Sequence, residues 1–242
     1  MATNRFTVPV IHPVLPPAQR AYPVSPRENL LRALAHEKPL WMPVVNDAIE
    51  WVFPAGLNDL PADRYGDGER DWFGTEYRYA PAQGGGTPCS TLFGEIGEWR
   101  TTVRWPDPGS VDWREGAAGF RRDPDRALGL RLCNGGFERL HMLEGFEQAL
   151  CDLLIEPEEC GAFFGRMREY QTALFCRMHE AYAFDIVFRN DDWASARAQF
   201  FSCETFEETL LRPAAETAEA VHAAGCRYVA HCCGKMEAFL PY

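Results

Sequence analysis

The sequence predicts an α/β fold built on a parallel sheet, and three observations lead to that prediction. Short runs rich in β-branched and aromatic residues alternate with longer segments of helical periodicity. An order of strand, helix, strand, helix is typical of a parallel sheet with right-handed crossovers. With 242 residues, 46% of them hydrophobic, the chain can bury the core of one globular domain or of a single α/β barrel.

The composition restricts the partners and the location of the protein. Lys and Arg total 24 against 35 Asp and Glu, a formal charge of −11, so electrostatics favours neither nucleic acid nor an anionic membrane as a ligand. Small molecules and proteins with a basic patch are the expected partners. Residues 1–24 form a Pro-rich lead without the apolar core of a secretory signal, which predicts a cytoplasmic protein with one domain over residues 25–242.

The nine cysteines do not indicate a disulfide framework. Their number is odd, and most of them lie within apolar stretches of helical or strand-like pattern. Secreted disulfide scaffolds are usually smaller and richer in loops. We therefore interpret most of these cysteines as reduced residues of the core.

The first predicted elements are a helix and a buried strand. Residues 25–38 begin with a capping box that has proline at the first helical position, and Pro39 ends the predicted helix. Residues 41–46 form an apolar run that predicts a buried strand ending in Asn46 and Asp47.

The pattern becomes more regular from residue 99 onward. Alternating residues over 99–105 predict a strand, and the apolar run 128–133 predicts another. Apolar residues at helical spacing then predict one long helix over 137–154 and a second over 157–183.

The last third of the chain repeats the alternation. A short apolar run predicts a strand over 184–189, and helical periodicity predicts a helix over 205–224 that Gly225 ends. The run 226–230 predicts the final strand, directly before His231.

Three polar clusters follow predicted strands. Because chemistry in parallel α/β folds occurs at the carboxyl ends of the strands, we expect these side chains to converge on one mouth. The clusters are Asn46-Asp47, Asn190-Asp191-Asp192-Trp193 and His231-x-Cys233.

The spacing of His231 and Cys233 is that of two metal ligands on one strand. Residues i and i+2 of a strand project to the same side, so the imidazole and the thiol can reach one ion while Cys232 points away. Nitrogen and sulfur are ligands that Zn²⁺ prefers. The same spacing also occurs in ordinary core pairs. The sequence has no C-x-x-C pair, which argues against a closed structural zinc finger.

The carboxylates of Asp191 and Asp192 have two readings. Paired acids after a strand can perform acid-base chemistry or bind cationic groups, and they are equally typical of solvated loops and helix caps. Trp193 is either a pocket wall or a residue of the core.

The sequence from residue 185, DIVFRNDDWASARAQFFSCETFEETLLRP, is followed by AVHAAGCRYVAHCCG. This region closely resembles the uroporphyrinogen decarboxylase superfamily, in particular its corrinoid-linked methyltransferase branch. In that branch, a D-D-x-x-x-Q/R segment, an F-x-S-P-E-x-F helix start and an H-x-C-G strand end occur in this order and at similar spacing. Three earlier segments are also similar to the family and extend the resemblance over nearly the whole chain from about residue 25: RENLLRALAHEKP from 27, DWFG from 71 and GFERLHMLEGFEQALCDL from 136.

The resemblance implies a TIM (β/α)8 barrel and a zinc-dependent methyltransferase that moves a methyl group between a small substrate and a corrinoid (cobalamin) protein. It implies that His231 and Cys233 bind zinc together with a later cysteine. It also implies catalytic roles for Asp191 and Asp192 at the substrate mouth. The substrate-binding residues predicted with them are Asn46, Asp47, Trp193 and Glu204.

Two departures from the family leave alternatives open. The R-Q-A-G-R motif of the decarboxylases is not found, so a tetrapyrrole decarboxylase is the second reading. About five strand-like runs are counted where a barrel has eight, and family members continue after H-x-C-G. The expectation is a barrel that lacks its final strands and the third zinc ligand, with an oligomer or a completing subunit as partner. The third reading is a truncated barrel without activity that binds a partner.

Overall fold

The structure is a computed structural model that describes residues 10–11, 22–53, 69–80 and 85–242. Its strands are β1 (Val10–Ile11), β2 (Ile49–Phe53), β3 (Glu69–Arg70), β4 (Glu76–Ala80), β5 (Gly85–Pro88), β6 (Ala127–Leu132), β7 (Ile186–Asn190) and β8 (Arg227–His231). Its helices are α1 (Pro26–Leu34), α2 (Val45–Ala48), α3 (Trp99–Thr102), α4 (Trp113–Ala118), α5 (Gly136–Glu144), α6 (Phe146–Ile155), α7 (Pro157–Tyr182), α8 (Cys203–Thr209) and α9 (Leu211–Ala223).

A sheet of five strands in the order β1-β2-β6-β7-β8 organises the molecule. Strands β2, β6, β7 and β8 are parallel, and each pairs with the next one along the chain. Strand β1 pairs antiparallel with β2 at one edge, and β3, β4 and β5 form a separate antiparallel sheet. The predicted α/β fold with a parallel sheet is confirmed.

One face of the parallel sheet belongs to the main hydrophobic core. Alternate residues of β6 and β7, among them Leu130 and Val187, are fully buried on this face. Helix α7 contributes a long buried row to the same cluster, and the side chain of Arg189 on β7 donates to Gln171 on α7 at 2.9 Å. Among the helices of the described residues, none is long and apolar enough to cross a membrane.

The opposite face of the sheet, called the second face below, is covered only in part by the described residues. At its amino end, Leu30 of α1 packs with Ile49 of β2 and Ile186 of β7 in a small buried cluster. Towards the carboxyl end, the side chains of the second face are half-buried. These side chains are Trp51, Phe53, Arg131, Phe188, Val229 and His231.

The prediction of a strand over residues 41–46 is wrong. Helix α2 occupies its end, and β2 starts only afterwards. The preceding backbone is fixed by the buried Asn29, whose amide donates to the Trp41 carbonyl at 2.9 Å and accepts from the Leu40 N–H at 2.7 Å. Because these backbone groups pair with a side chain of α1, the apolar run does not join the sheet ladder.

The prediction of a strand over residues 99–105 is also wrong. A short 3-10 turn leads into helix α3, and Trp99 and Val103, four positions apart, are both buried. In so short a run, large apolar residues fit the period of a helix turn as well as that of a strand.

The long helices agree with the sequence except at two breaks. The helix predicted over 157–183 is α7. The predicted helix 137–154 is divided into α5 and α6 at Gly145, which has φ +102°. The predicted helix 205–224 is divided into α8 and α9 at Leu210. The apolar periodicity continues through both breaks, so it does not reveal them.

The corner between α5 and α6 holds two buried acids. Glu144 and Asp152 are 3% and 5% exposed, and the Asp152 carboxylate accepts a hydrogen bond from Gln148 at 2.9 Å. Burial, followed by the charge of Asp152, raises the pKa of Glu144 to about 8. At neutral pH this side chain therefore keeps its proton, which removes repulsion between the two carboxylates.

We expect this pair to make the stability depend on pH. The pKa of Glu144 is higher in the folded chain than its ordinary value of 4.5, so the stabilisation present below about pH 4.5 is lost as pH rises towards about 8. Replacement E144Q should remove this loss, measured as a flatter free energy of unfolding in urea between about pH 5 and about pH 8. The exposed E147Q should keep the wild-type slope, and an unchanged slope in E144Q would contradict the prediction.

Candidate metal centre

The carboxyl ends of β7 and β8 bring two of the predicted polar clusters together. Asn190 pairs with His231 in the parallel register, and the Asp191 N–H donates to the His231 carbonyl at 3.1 Å. The residues that follow the two strands therefore lie side by side, as expected for neighbouring parallel strands.

Three side chains at this edge form a group that could hold a metal ion. One ligand atom from each of Asp192, His231 and Cys233 lies within 4.8 Å of the other two. His231 Nε2 and Cys233 Sγ are 3.3 Å apart, so the two side chains approach each other as predicted, but β8 ends at His231 and Cys233 lies in the bend that follows it. The imidazole and the carboxylate are half-buried and the thiol is exposed, so the group is open to solvent on the side of Cys233.

Asp192 is held against the end of β8. Its Oδ1 accepts a hydrogen bond from the Cys233 backbone N–H at 2.6 Å. Burial, followed by the hydrogen bond and the charge of Asp192, raises the pKa of the Cys233 thiol to about 11. A metal ion bound here would replace the thiol proton, because the thiolate is the ligand form of cysteine.

The donor set fits zinc. Zn²⁺ binds nitrogen, sulfur and carboxylate oxygen in tetrahedral sites, and its bond lengths put neighbouring nitrogen and sulfur ligands about 3.5 Å apart. The observed 3.3 Å between Nε2 and Sγ is close to that separation. Three protein ligands would leave the fourth position for a substrate atom or water.

Cys232 lies outside this group. Its sulfur accepts hydrogen bonds from the Trp193 N–H at 3.3 Å and from the Gly234 N–H at 3.4 Å. The two neighbouring thiols have different surroundings: Cys232 helps to join the segments after β7 and β8, whereas Cys233 faces the group.

Gly234 allows these two segments to approach closely. A Cβ at this position would lie 1.9 Å from the carbonyl oxygen of Ala194, and the Lys235 N–H donates to the Ser195 carbonyl at 2.9 Å. A larger residue must therefore displace the backbone next to Cys233.

Replacement G234A is expected to destabilise the fold by about 1–3 kcal/mol, because the new methyl group overlaps backbone atoms. It should also weaken zinc binding, since the displaced backbone carries Cys233 with it. The measurements are urea unfolding and zinc titration. The control is G165A, since a Cβ there meets nothing within 4 Å and alanine in the helix α7 should stabilise by about 0.5–1 kcal/mol. Equal zinc affinity in G234A and wild type would contradict the prediction.

Asp191 lies behind the group and supports helix α5. It is 2% exposed, its Oδ1 accepts from the Glu138 N–H at 3.0 Å, and its Oδ2 lies 3.5 Å from a guanidinium nitrogen of Arg189. A Cβ at Gly135 would lie 2.3 Å from its carboxyl carbon. Of the two acids predicted to be catalytic, the structure places Asp192 in the group and Asp191 at the start of a helix.

Glu138 is a residue of this edge that the sequence reasoning missed. Its carboxylate accepts hydrogen bonds from the Asn190 amide at 3.2 and 3.3 Å. Burial, followed by the charges of Asp191 and Asp192, raises its pKa well above the ordinary range of a glutamate. The sequence feature that could have indicated Glu138 is its position in the first turn of α5, the helix that follows the carboxyl end of β6.

The remaining predicted site residues lie elsewhere. Asn46 and Asp47 belong to α2, which precedes β2, so they lie at the amino end of the sheet, and their expected convergence with the other clusters is not observed. Trp193 is 7% exposed and packs in the core against Phe206, with ring centres 4.9 Å apart. Glu204 is exposed in the first turn of α8, outside the group.

The chain matches no protein-family model and no curated protein. An imidazole nitrogen, a thiol sulfur and a carboxylate oxygen form one open group at the carboxyl ends of two parallel strands.

Proposed function

We propose that the chain is a zinc-dependent methyltransferase of the uroporphyrinogen decarboxylase superfamily, which transfers a methyl group between a small substrate and a corrinoid protein. The observation that carries the proposal is the group of Asp192, His231 and Cys233, whose donor atoms lie within 4.8 Å of one another. The order of Asp191-Asp192 and His231-x-Cys233-Gly234, which resembles that of the corresponding family motifs, supports the choice of family; residue 196, where the first family motif has Gln or Arg, is Ala.

A (β/α)8-type barrel is the fold proposed with this function. Four parallel strands follow one another in the sheet in chain order, without the reversal of a doubly wound fold. Leu30 of α1 covers the amino end of the second face, and the metal group lies at the carboxyl end, where barrel enzymes carry their sites. The antiparallel strand β1 is a departure from an all-parallel barrel.

The zinc ion would supply one element of the chemistry, since a zinc-bound thiol or water loses its proton and becomes a strong nucleophile at neutral pH. The chain supplies the rest. His231, Cys233 and Asp192 would hold the ion, and the Cys233 N–H fixes the Asp192 carboxylate beside the other two donors. Glu138, oriented by Asn190, keeps its proton to a higher pH than an ordinary glutamate and can exchange it with a bound substrate.

Zinc content and methyl transfer test the proposal together. The purified chain, washed with a chelator that removes loosely bound metal, should retain about one zinc ion per chain by elemental analysis. The zinc-loaded protein should then change the visible spectrum of methylcobalamin in the presence of a small thiol, as the methyl group leaves cobalt. A wild-type chain without zinc would contradict the proposal. Turnover of uroporphyrinogen by that metal-free chain would favour the decarboxylase reading instead.

A further inference from the structure

Arg131 is a half-buried cation on the second face that has no anionic partner among the described residues. The buried arginines 126, 139 and 189 each have a carboxylate oxygen within hydrogen-bonding or ion-pairing distance. Arg131 forms no ion pair with the described residues, and its Nε is buried there without a hydrogen-bond acceptor. The buried Nε has lost its hydration without gaining an acceptor, and the half-buried side chain leaves the positive charge accessible to a ligand.

The guanidinium of Arg131 lies over two aromatic rings, and its N–H donors form a planar edge that an anionic ligand can meet. The Arg131 Cζ lies 5.5 Å from the centre of the Phe53 ring and 5.2 Å from that of Phe188. Such contacts stabilise the charge by about 0.5–2 kcal/mol, but they offer no acceptor to the N–H groups in the plane. A planar or tetrahedral oxyanion matches the donors along this edge in a bidentate way.

The surface beside Arg131 is apolar and leads to the metal centre. The rings of Trp51 and Phe188 meet edge to face with centres 5.6 Å apart, and the Phe188 ring lies 5.0 Å from the His231 imidazole. In the sheet register, Arg131 of β6 lies beside Phe188 of β7, and Phe188 lies beside Val229 of β8. His231 follows Val229 by two residues, so it is two strands away from Arg131. Strand geometry puts the Cα atoms of Arg131 and His231 roughly 12 Å apart, and the long arginine side chain can cover much of that distance.

We propose that the second face binds the substrate of the metal centre, and that this substrate is a small, largely apolar molecule with a carboxylate or phosphate group that pairs with Arg131. Trp51, Phe188 and Val229 contact the apolar part. This inference rests on the proposed function for the identity of the reacting end, whereas the pairing with Arg131 is a property of the second face alone.

Binding of simple probes to metal-free protein tests the pairing. Benzoate and phenyl phosphate carry the two oxyanions, and benzamide is the neutral counterpart of benzoate. We expect wild type to bind at least one of the anions about 10-fold or more tightly than benzamide, measured by calorimetry and by quenching of tryptophan fluorescence. The better anion identifies the source of the oxyanion, carboxylate or phosphate.

Replacement R131M should weaken binding of that anion about 10-fold or more and leave benzamide unchanged. R131K keeps the charge but loses the planar fork, so its affinity for the anion should lie between those of wild type and R131M. If circular dichroism shows that R131M does not fold, R131K replaces it in the comparison with wild type. The matched control is R227M, which removes an exposed arginine at the amino end of β8 and should change the affinity less than about 2-fold.

Three results would overturn the inference: equal affinity of wild type and R131M for the anions, equal affinity of wild type for benzamide and the anions, or no binding of any probe. Zinc is absent throughout, so a failure of the proposed zinc chemistry leaves these results unchanged. Conversely, if the protein binds zinc but not the anions, the result contradicts the pairing with Arg131 and leaves the proposed function intact.

Discussion

Replacing His231 or Cys233 by alanine is expected to reduce zinc affinity by more than about 100-fold, so that neither variant retains zinc after a chelator wash. Each replacement removes one of the two strongest donors of the group, whose atoms lie 3.3 Å apart. D192N should reduce zinc affinity by only about 10- to 100-fold, because an amide oxygen is a weaker and uncharged ligand. Zinc titration against a chromophoric chelator gives the three affinities.

The control is C232A, since this thiol accepts two backbone hydrogen bonds and lies outside the group. It should bind zinc within a few-fold of wild type and lose about 1 kcal/mol of stability at most. If C232A and C233A lose zinc equally, Cys233 is not the specific thiol ligand, and the predicted ligand set is wrong. Retention of zinc in H231A would exclude this centre altogether.

The second large effect is expected at the buried ion pair of Arg139 and Asp71. The side chain of Arg139 is 0% exposed and that of Asp71 is 1% exposed. Asp71 Oδ1 also accepts from the backbone N–H groups of Phe73 and Thr75, at 3.0 and 2.9 Å, and Oδ2 from the Tyr77 hydroxyl at 3.2 Å. The pair joins the segment before β4 to helix α5, which begins next to the candidate metal centre.

Replacement D71N should destabilise the protein by about 3–5 kcal/mol, because it leaves the guanidinium buried without its counter-charge. The double variant D71N/R139M should recover part of that loss, since no unpaired charge remains. Urea unfolding with a double-mutant cycle measures both effects. R70M serves as the control: it breaks the exposed pair with Glu76 and should cost less than about 1 kcal/mol. A loss in D71N no larger than in R70M would contradict this account.

Much of the carboxyl-terminal half of the fold could be predicted. The strands β6, β7 and β8 are short β-rich runs and α7 is a long segment of helical periodicity, and all four elements occur close to their predicted positions. The errors lie where local pattern and tertiary contact compete. Asn29 binds the backbone of the apolar run at 40–41, and Gly145 divides one apolar stripe into two helices.

The segment D71-W-F-G forms a turn whose main tertiary partner could not be predicted from the sequence. Gly74 has φ +93°, a conformation that favours glycine, and Asp71 accepts the backbone N–H groups of the turn that contains it. The sequence offers no sign of Arg139, because that partner comes from a helix far along the chain.

The sequence alone predicted that the side chains of His231 and Cys233 lie on one side, because residues two apart in an extended chain share a side, and the two side chains do approach each other in the structure. Only the tertiary structure decided that Asp192 completes the group, that Asp191 turns away to cap α5, and that Arg131 has no carboxylate beside it among the described residues. These relations depend on the register of β6, β7 and β8, which brings together side chains that are far apart in the sequence.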